Sequence, residues 1–302
     1  MSENDSMLNE LKALAKSSVS RRSVLAGAGA VGAGSLLAAC GGGGGSNADV
    51  RWGNWTLYLD YDSDKKVYPT LEEFTKQTKI SVKYLEDYND NDEFYGKVQG
   101  QLKLKKDIGY DLICPTDWMA ARYIRLGYAQ KFDKANIPNA KNILPALASV
   151  PYDTGRDYSL TWQGIMGGFT WNKEKLPKGI HTLEELFAPA NKGKIEVLTE
   201  LRDTVGVIMM AQGVDITKVT KDQYYNALDF LQKKIADGFI RQVKGNDYKE
   251  DLISGDAVAC IAWSGDAFQL AAENDGKFDF AIPETGGTIS ADNFIIPSTV
   301  TA

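Results

Sequence analysis

From Val50 onward the sequence alternates short apolar runs with amphipathic stretches of helical period, and this alternation restricts the fold more than any other feature. "ISVKYLEDY" sets Ile80, Val82 and Tyr84 at period two, as in a strand. "DEFYGKVQGQLKLKK" sets Phe94, Val98 and Gln101/Leu102 on one helical face. "YDLICP" reads as a short buried strand closed by Pro115, and "TDWMAARYIRLGY" as a helix starting at Thr116. Earlier, Thr70 followed by Glu73 predicts a capping box at a helix start. Parallel neighbours need a crossover between them, so strand, helix, strand, helix, strand specifies an α/β layer with a mainly parallel sheet.

A second set of elements follows. "YSLTWQGIMGGFTWN" is β-rich and broken by glycine. "TLEELFAP" is a short helix with a capping box from Thr182 to Glu185, and "GKIEVLTE" is a strand. "DQYYNALDFLQKKIAD" is a long amphipathic helix that places Tyr224 and Tyr225 in ordinary packing. "AVACIAWSGD" is a buried strand with a turn after it, and "FDFAIPETGG" and "ADNFIIPST" return to strands. Two α/β units around a β-rich crossing predict two lobes with a ligand cleft between them. The expected first lobe covers residues 50–160 plus 264–302, and the second covers 161–263. Ligands of open α/β sheets bind beyond the carboxyl ends of strands. That rule singles out Trp55–Tyr58, Thr116–Trp118, Glu200–Asp203 and Trp263–Asp266.

Residues 1–39 read as an export signal. Arg21-Arg22 precede a bland run from Val24 to Ala39, shorter and less apolar than the roughly 20-residue stretch that spans a bilayer. The arginine pair points to the twin-arginine route. Leu37-Ala38-Ala39-Cys40 has the form of a lipobox, in which cleavage leaves Cys40 as a lipid-modified N-terminus. Residues 40–49, with Gly41–Gly45, form a flexible tether. The chain is therefore expected on the periplasmic or cell-surface side of the cytoplasmic membrane, held there by lipid.

The formal net charge is −6 at pH 7 and becomes one unit more negative without residues 1–39. That balance argues against nucleic acid, which needs a basic face. Histidine occurs once, at His181, read as a surface residue. No His/Cys spacing suits a metal, no phosphate loop or nucleophile motif is present, and no cofactor is expected. Cys114 and Cys260 lie in apolar stretches, as free buried thiols do, although an oxidising compartment also allows a disulfide. The stretch "NWTLYLDYD" packs one tryptophan, two tyrosines and two aspartates into nine residues. Rings and carboxylates together suit a cation, because a π face attracts it and a carboxylate accepts charge-assisted hydrogen bonds.

"NWTLYLD", "YDLICPTDWM", "LTELRDTVG", "SGDAVACIAWSGDAFQ" and "GGTISADNFIIP" occur in this order from Arg51 to Pro297. Together they resemble the successive signatures of the polyamine-binding proteins of ABC transporters, the spermidine/putrescine receptors. The resemblance implies a two-lobed periplasmic-binding-protein-like fold and a receptor that closes on a polyamine and hands it to permease subunits. It implies ring walls and hydrogen bonds from Trp55, Thr56 and Tyr58, a hydroxyl and a ring from Thr116 and Trp118, and acids at Glu200 and Asp203. It also implies a wall at Trp263, an ammonium ligand at Asp266 and a further acid at Asp292. The sequence departs from the family in two places. Ser290 and Ala291 stand where relatives carry an aromatic residue before the aspartate, and the chain ends at Ala302, where relatives continue with helices of the second lobe. A C-terminally truncated fold is therefore expected.

The same residues admit plainer roles. Trp55, Tyr58 and Trp118 could be core, Glu200 and Asp203 a solvated pair with Arg202, and Trp263 with Asp266 a strand end and turn. Other readings are the same fold for an amino acid, sugar or ferric ion, or an exported lipoprotein hydrolase using Glu200 and Asp203. The expectation carried forward is a receptor and not an enzyme. If Cys40 carries the lipid, Cys40→Ala moves the exported protein from the membrane pellet to the soluble fraction; retention in the pellet would refute the lipobox.

Overall fold

The structure, a computed structural model, describes residues 48–301. The expected export signal, Cys40 and the glycine run lie outside the described residues. Among those residues no helix is long and apolar enough to cross a membrane.

The first sheet has three parallel strands: β1 (Val50–Trp55) in the centre, β2 (Val82–Tyr88) on one side and β3 (Leu112–Ile113) on the other. Helices α1 (Pro69–Thr78) and α2 (Asn91–Lys103) make the crossovers, and α3 (Asp117–Arg125) follows β3. α2 buries Phe94, Val98 and Leu102, the face predicted from their spacing. They pack with Trp55, Tyr88, Ile113, Met119 and Tyr123 in one apolar core. The Asp90 side chain caps α2 by accepting from the Asp92 and Glu93 amides.

Two local expectations fail here. α1 starts at Pro69 with Tyr68 at the N-cap, not at Thr70. Proline is pre-organised for the first helical position and has no amide hydrogen to leave unpaired. The Thr70 amide is instead met by the Asp60 carboxylate at 3.3 Å. β2 starts at Val82, and Ile80 is exposed outside it.

The second sheet has six strands. β5 (Ile195–Leu198) lies parallel to both β6 (Ile240–Lys244) and β7 (Ala259–Trp263). β4 (Leu160–Asn172) runs antiparallel to β7, to β8 (Phe278–Ala281) and to β9 (Thr288–Phe294). Around this mixed sheet lie α4 (Leu183–Leu186), α5 (Leu201–Ala211), α6 (Lys221–Ala236), α7 (Tyr248–Ser254) and α8 (Ser264–Glu273). The capping box of α4 forms as predicted, and His181 before it is exposed. Phe169, Ile195, Val197, Leu198, Ala259 and Ile261 are among the residues of the second core. Cys114, just after β3, and Cys260, on β7, are buried and free, with no disulfide between them.

β4 and β9 carry the chain between the two sheets. The C-terminal half of β4 pairs with β7 and β8, and its N-terminal half pairs with β9. Beyond β9, Ile295 bridges back to Ile113 of the first sheet. The expected boundary after Trp263 does not coincide with this path. α8 and β8 stay with the larger sheet because β8 pairs with the far half of β4, and the chain returns only along β9. Phe169 is fully buried where β4 meets β7 and β8. Phe169→Ala is expected to lower the unfolding free energy by about 3–5 kcal/mol, the usual loss for a buried phenylalanine. A urea titration with an unchanged slope checks this.

Candidate ligand-binding site

β1, β3, β5, β6 and β7 end around one cavity of about 350 Å³, a size suited to a small organic ligand. β1 delivers Trp55, Thr56 and Tyr58, and β3 delivers Thr116. β5 delivers Glu200 and Asp203, and β7 delivers Trp263 and Asp266. The crossing strand β9 adds Asp292. Nine of the ten residues expected from the sequence thus line the cavity. Trp118 does not; it lies in an adjoining groove.

Asp292 is completely buried on β9. The Tyr58 hydroxyl donates to one of its oxygens, and the Thr116 hydroxyl donates to the other at 2.7 Å. Asn91 Nδ2 in turn donates to Thr116 Oγ1 at 2.8 Å. Thr116 sits at the N-cap of α3, yet its side chain caps no amide because the hydroxyl is committed to Asp292. Between Thr56 and Tyr58, Leu57 adopts φ 63°, a left-handed conformation that L-residues avoid outside constrained turns. Burial pushes the Asp292 carboxyl up to about 7 against the pull of its two hydroxyl donors. The same carboxylate and burial hold the Tyr58 phenol well above its ordinary value.

Asp203, on the first turn of α5, accepts from Trp263 Nε1 at 2.7 Å and from the Thr288 hydroxyl. Its carboxyl is raised by burial and drawn down by those two donors. Gly167 of β4 makes room for this cluster, since a Cβ there would fall 2.2 Å from Thr288 Oγ1. Trp263 and Trp55 face each other at 6.1 Å between ring centroids, edge to face. Trp55 is both core and wall: its ring packs in the first core and lines the cavity, while its indole nitrogen donates to the Cys114 carbonyl at 2.9 Å.

Glu200 caps α5, accepting from the Arg202 amide, and pairs with the Arg202 guanidinium at 3.2 Å. Its other oxygen accepts from Trp118 Nε1 at 2.9 Å. The Arg202 guanidinium lies 3.5 Å from the Trp118 ring centroid. Trp118, from the first core, therefore latches onto the second sheet's Glu200 and Arg202 and lines the adjoining groove.

Asp266 also differs from expectation. It accepts from the Tyr248 hydroxyl at 2.9 Å and from the Lys249 ammonium at 3.0 Å. Its charge already has a partner within the chain, and both donors come from α7. The sequence reading missed Lys249, and it also missed Asn91, Gln163, Asn246 and Ser290, which line the cavity. The rule of strand carboxyl ends would have found Asn246 had Ile240–Lys244 been recognised as a strand. Asn91 and Lys249 had no comparable signal, because each is a polar residue near a helix start.

The site contains aromatic walls, hydroxyl and amide groups, and the carboxyls of Asp203 and Asp292, which burial pushes upward. Such an enclosure favours an incoming cation, which restores the carboxylate charge. Asp292 supplies a direct check on the unliganded protein. Its carboxyl keeps its proton up to about pH 7 when folded, against an ordinary value of 3.8. Its contribution to stability is therefore complete below pH 3.8, declines as pH rises and is lost above about 7. The stability of the wild type relative to Asp292→Asn is expected to fall between pH 5 and pH 8. Urea unfolding of both proteins at the two pH values tests this, and an unchanged difference would show that the carboxyl titrates normally.

A family model for bacterial extracellular solute-binding proteins matches residues 70–302. The spermidine/putrescine-binding periplasmic protein of Escherichia coli (strain K12) is 28% identical over 256 residues, covering 83% of this chain and 68% of that protein. Two solved structures share the fold. The Tp0655 (TpPotD) lipoprotein of Treponema pallidum superposes with a TM-score of 0.68 at 22% identity, over 82% of this chain and 75% of its own. AgtB from A.tumefacien R10, in complex with agropinic acid, gives 0.66 at 17% identity, over 84% of this chain and 73% of its own. The family match spans most of the chain, and the two-lobed α/β fold agrees with it: the chain belongs to the bacterial extracellular solute-binding protein family.

Proposed function

We propose that this chain is the extracytoplasmic receptor of an ABC importer and that its ligand is a polyamine. The observation that carries this reading is the pairing of Asp203 and Asp292, both buried, with the indole walls of Trp55 and Trp263 around one cavity. A polyamine is a string of ammonium groups joined by methylenes. Each ammonium donates charge-assisted hydrogen bonds to a carboxylate, and the methylenes lie against flat rings. The spermidine/putrescine-binding relative from Escherichia coli supports the same ligand class. The agropinic acid bound by AgtB shows that the fold alone does not choose the ligand, so the choice rests on the acids of this cavity.

In this reading Trp55, Tyr58 and Trp263 are walls, Asp203 and Asp292 accept from ammonium groups, Glu200 anchors Arg202 and Trp118 beside them, and Thr56 and Thr116 set the donors and acceptors around them. Trp118 acts as a latch that joins the two sides when the cleft is shut. Asp266 takes part through Lys249. The protein binds and releases and performs no chemistry on its ligand. It reaches its compartment through the signal at residues 1–39, by the twin-arginine route, and stays there through lipid on Cys40. The first lobe is residues 50–160 with the return after β9, the second holds β5 to β8, and permease subunits receive the ligand.

Calorimetric titration of the mature chain with putrescine, spermidine and a panel of amino acids tests the ligand class. Binding of amino acids without polyamines would replace this reading with another solute of the same fold. Asp203→Asn converts a hydrogen bond to a charged acceptor into a neutral one, a loss of about 1.5–3 kcal/mol. Polyamine affinity is then expected to fall about tenfold to hundredfold, with the melting temperature of the unliganded protein not lowered. Trp263→Leu is expected to weaken binding to a similar degree by removing a π face. Full affinity in Asp203→Asn would remove that residue from the site.

A further inference from the structure

We propose that Lys249 is a built-in ammonium group that permanently fills one amine position of the cleft and limits the ligand to a short diamine. Its ammonium lies 3.0 Å from Asp266 Oδ1, makes a hydrogen bond to Asn246 Oδ1 and stands 3.4 Å from Thr56 Oγ1. An alkylammonium has three hydrogens to donate and no acceptor. Three oxygens surround this one, and all three belong to residues that line the cavity. Thr56 spends its own hydrogen on Asn246 Oδ1 at 2.9 Å, which leaves its lone pairs to Lys249. The Lys249 and Asp266 side chains are 13% and 8% exposed, so the pair is shielded from water. Tyr248, fully buried beside Lys249 on α7, holds the second oxygen of Asp266 at 2.9 Å. The arrangement is a complete ammonium site with a tethered occupant.

Its position gives the occupant a second effect. Thr56 and Asn246 line the cavity and also a neighbouring groove of about 320 Å³, of which Lys249 forms part of the wall. Glu86, Asp87, Asp247 and Glu250 line the same groove. The lysine thus stands at the partition between a cavity that takes cations and an acidic groove beyond it. With Asp266 neutralised by Lys249 and Glu200 paired to Arg202, Asp203 and Asp292 are the buried carboxyls left for a ligand. Two such acids suit the two ends of a diamine, and on the Lys249 side a third amine meets an ammonium group in place of a free acid. The ligand class rests on the polyamine reading above, while the tethered-ammonium site stands on geometry alone.

Lys249→Ala deletes a fragment equivalent to propylammonium, so propylammonium is the probe. The melting temperature of Lys249→Ala is expected to rise with millimolar propylammonium chloride, more than that of the wild type and more than with equal sodium chloride. Equal responses in variant and wild type would overturn the tethered-ammonium site. The length limit is read by titrating putrescine and spermine into the wild type and into Lys249→Ala, which frees Asp266 for a further amine, and into Lys249→Gln, which keeps an uncharged donor beside Asp266 should the alanine variant fail to fold. The spermine-to-putrescine affinity ratio is expected to rise at least tenfold in the variant that folds; an unchanged ratio would overturn the limit. Rescue by propylammonium in a protein whose wild type binds no polyamine would sink the polyamine reading and keep the tethered ammonium. Polyamine binding by the wild type, with neither rescue nor a changed ratio, would do the reverse.

Discussion

β4 and β9 run antiparallel from the Leu160–Phe294 pair to the Gly167–Thr288 pair, and this ladder is the physical link between the two sheets. At its near end, the buried Arg156 guanidinium donates to Asn293 Oδ1 at 3.0 Å, to Thr161 Oγ1 at 2.6 Å and to the Leu147 carbonyl. Asp153 accepts from the Tyr158 and Ser159 amides as the chain turns into β4. The ladder continues into the first sheet through the bridges of Ile295 to Ile113 and Asp292 to Thr116. Backbone hydrogen bonds therefore fix where β9 passes, and Asp292 is placed by them against Tyr58 and Thr116. A change in register by one residue would turn Asp292 to the other face of the strand and empty the site of its most buried acid.

Burying carboxyls is expensive unless they are paired or neutral. This structure meets that requirement in three ways. Asp292 and Asp203 are served by neutral donors, and burial raises both. Glu200 has Arg202 and the Trp118 indole. Asp266 has a lysine. The first two are the groups whose charge is not yet matched, and a bound cation would match it. Binding and folding are thus linked through the same carboxyls: what weakens the unliganded chain at neutral pH is what a cationic ligand would relieve.

Contacts across the cleft come from both sides. Thr199 Oγ1 donates to Asp90 Oδ2 at 2.6 Å, Gln269 Nε2 to the Leu57 carbonyl at 3.1 Å, and the Asn246 amide to the Asn89 carbonyl at 3.0 Å. Gly245 lets that last approach happen, since a Cβ there would stand 2.5 Å from Asn89 O. These are polar contacts at the rim, made by short side chains and backbone. They suit surfaces that meet and part, whereas the two apolar cores stay with their own sheets.

The amino-acid sequence by itself determined the alternation of strands and helices, the apolar faces such as Phe94, Val98 and Leu102, and the strand ends that carry the site. Those properties are local: they follow from spacing along the chain and from the rule that parallel strands open their carboxyl ends on one side. Pairing between distant residues is of another kind. Trp118 and Asp266 carry the right chemistry but are already engaged, one by Glu200 and Arg202 and the other by Lys249. β8 joins a strand more than a hundred residues earlier. Only the tertiary structure decided these points. Lys249 meets Asp266 across 17 residues because α7 packs beside α8, and Trp118 meets Glu200 across 82 because the two sides of the cleft come together. Charge pairing acts through space at a few ångströms, and no local pattern along a chain records which distant partner will arrive there.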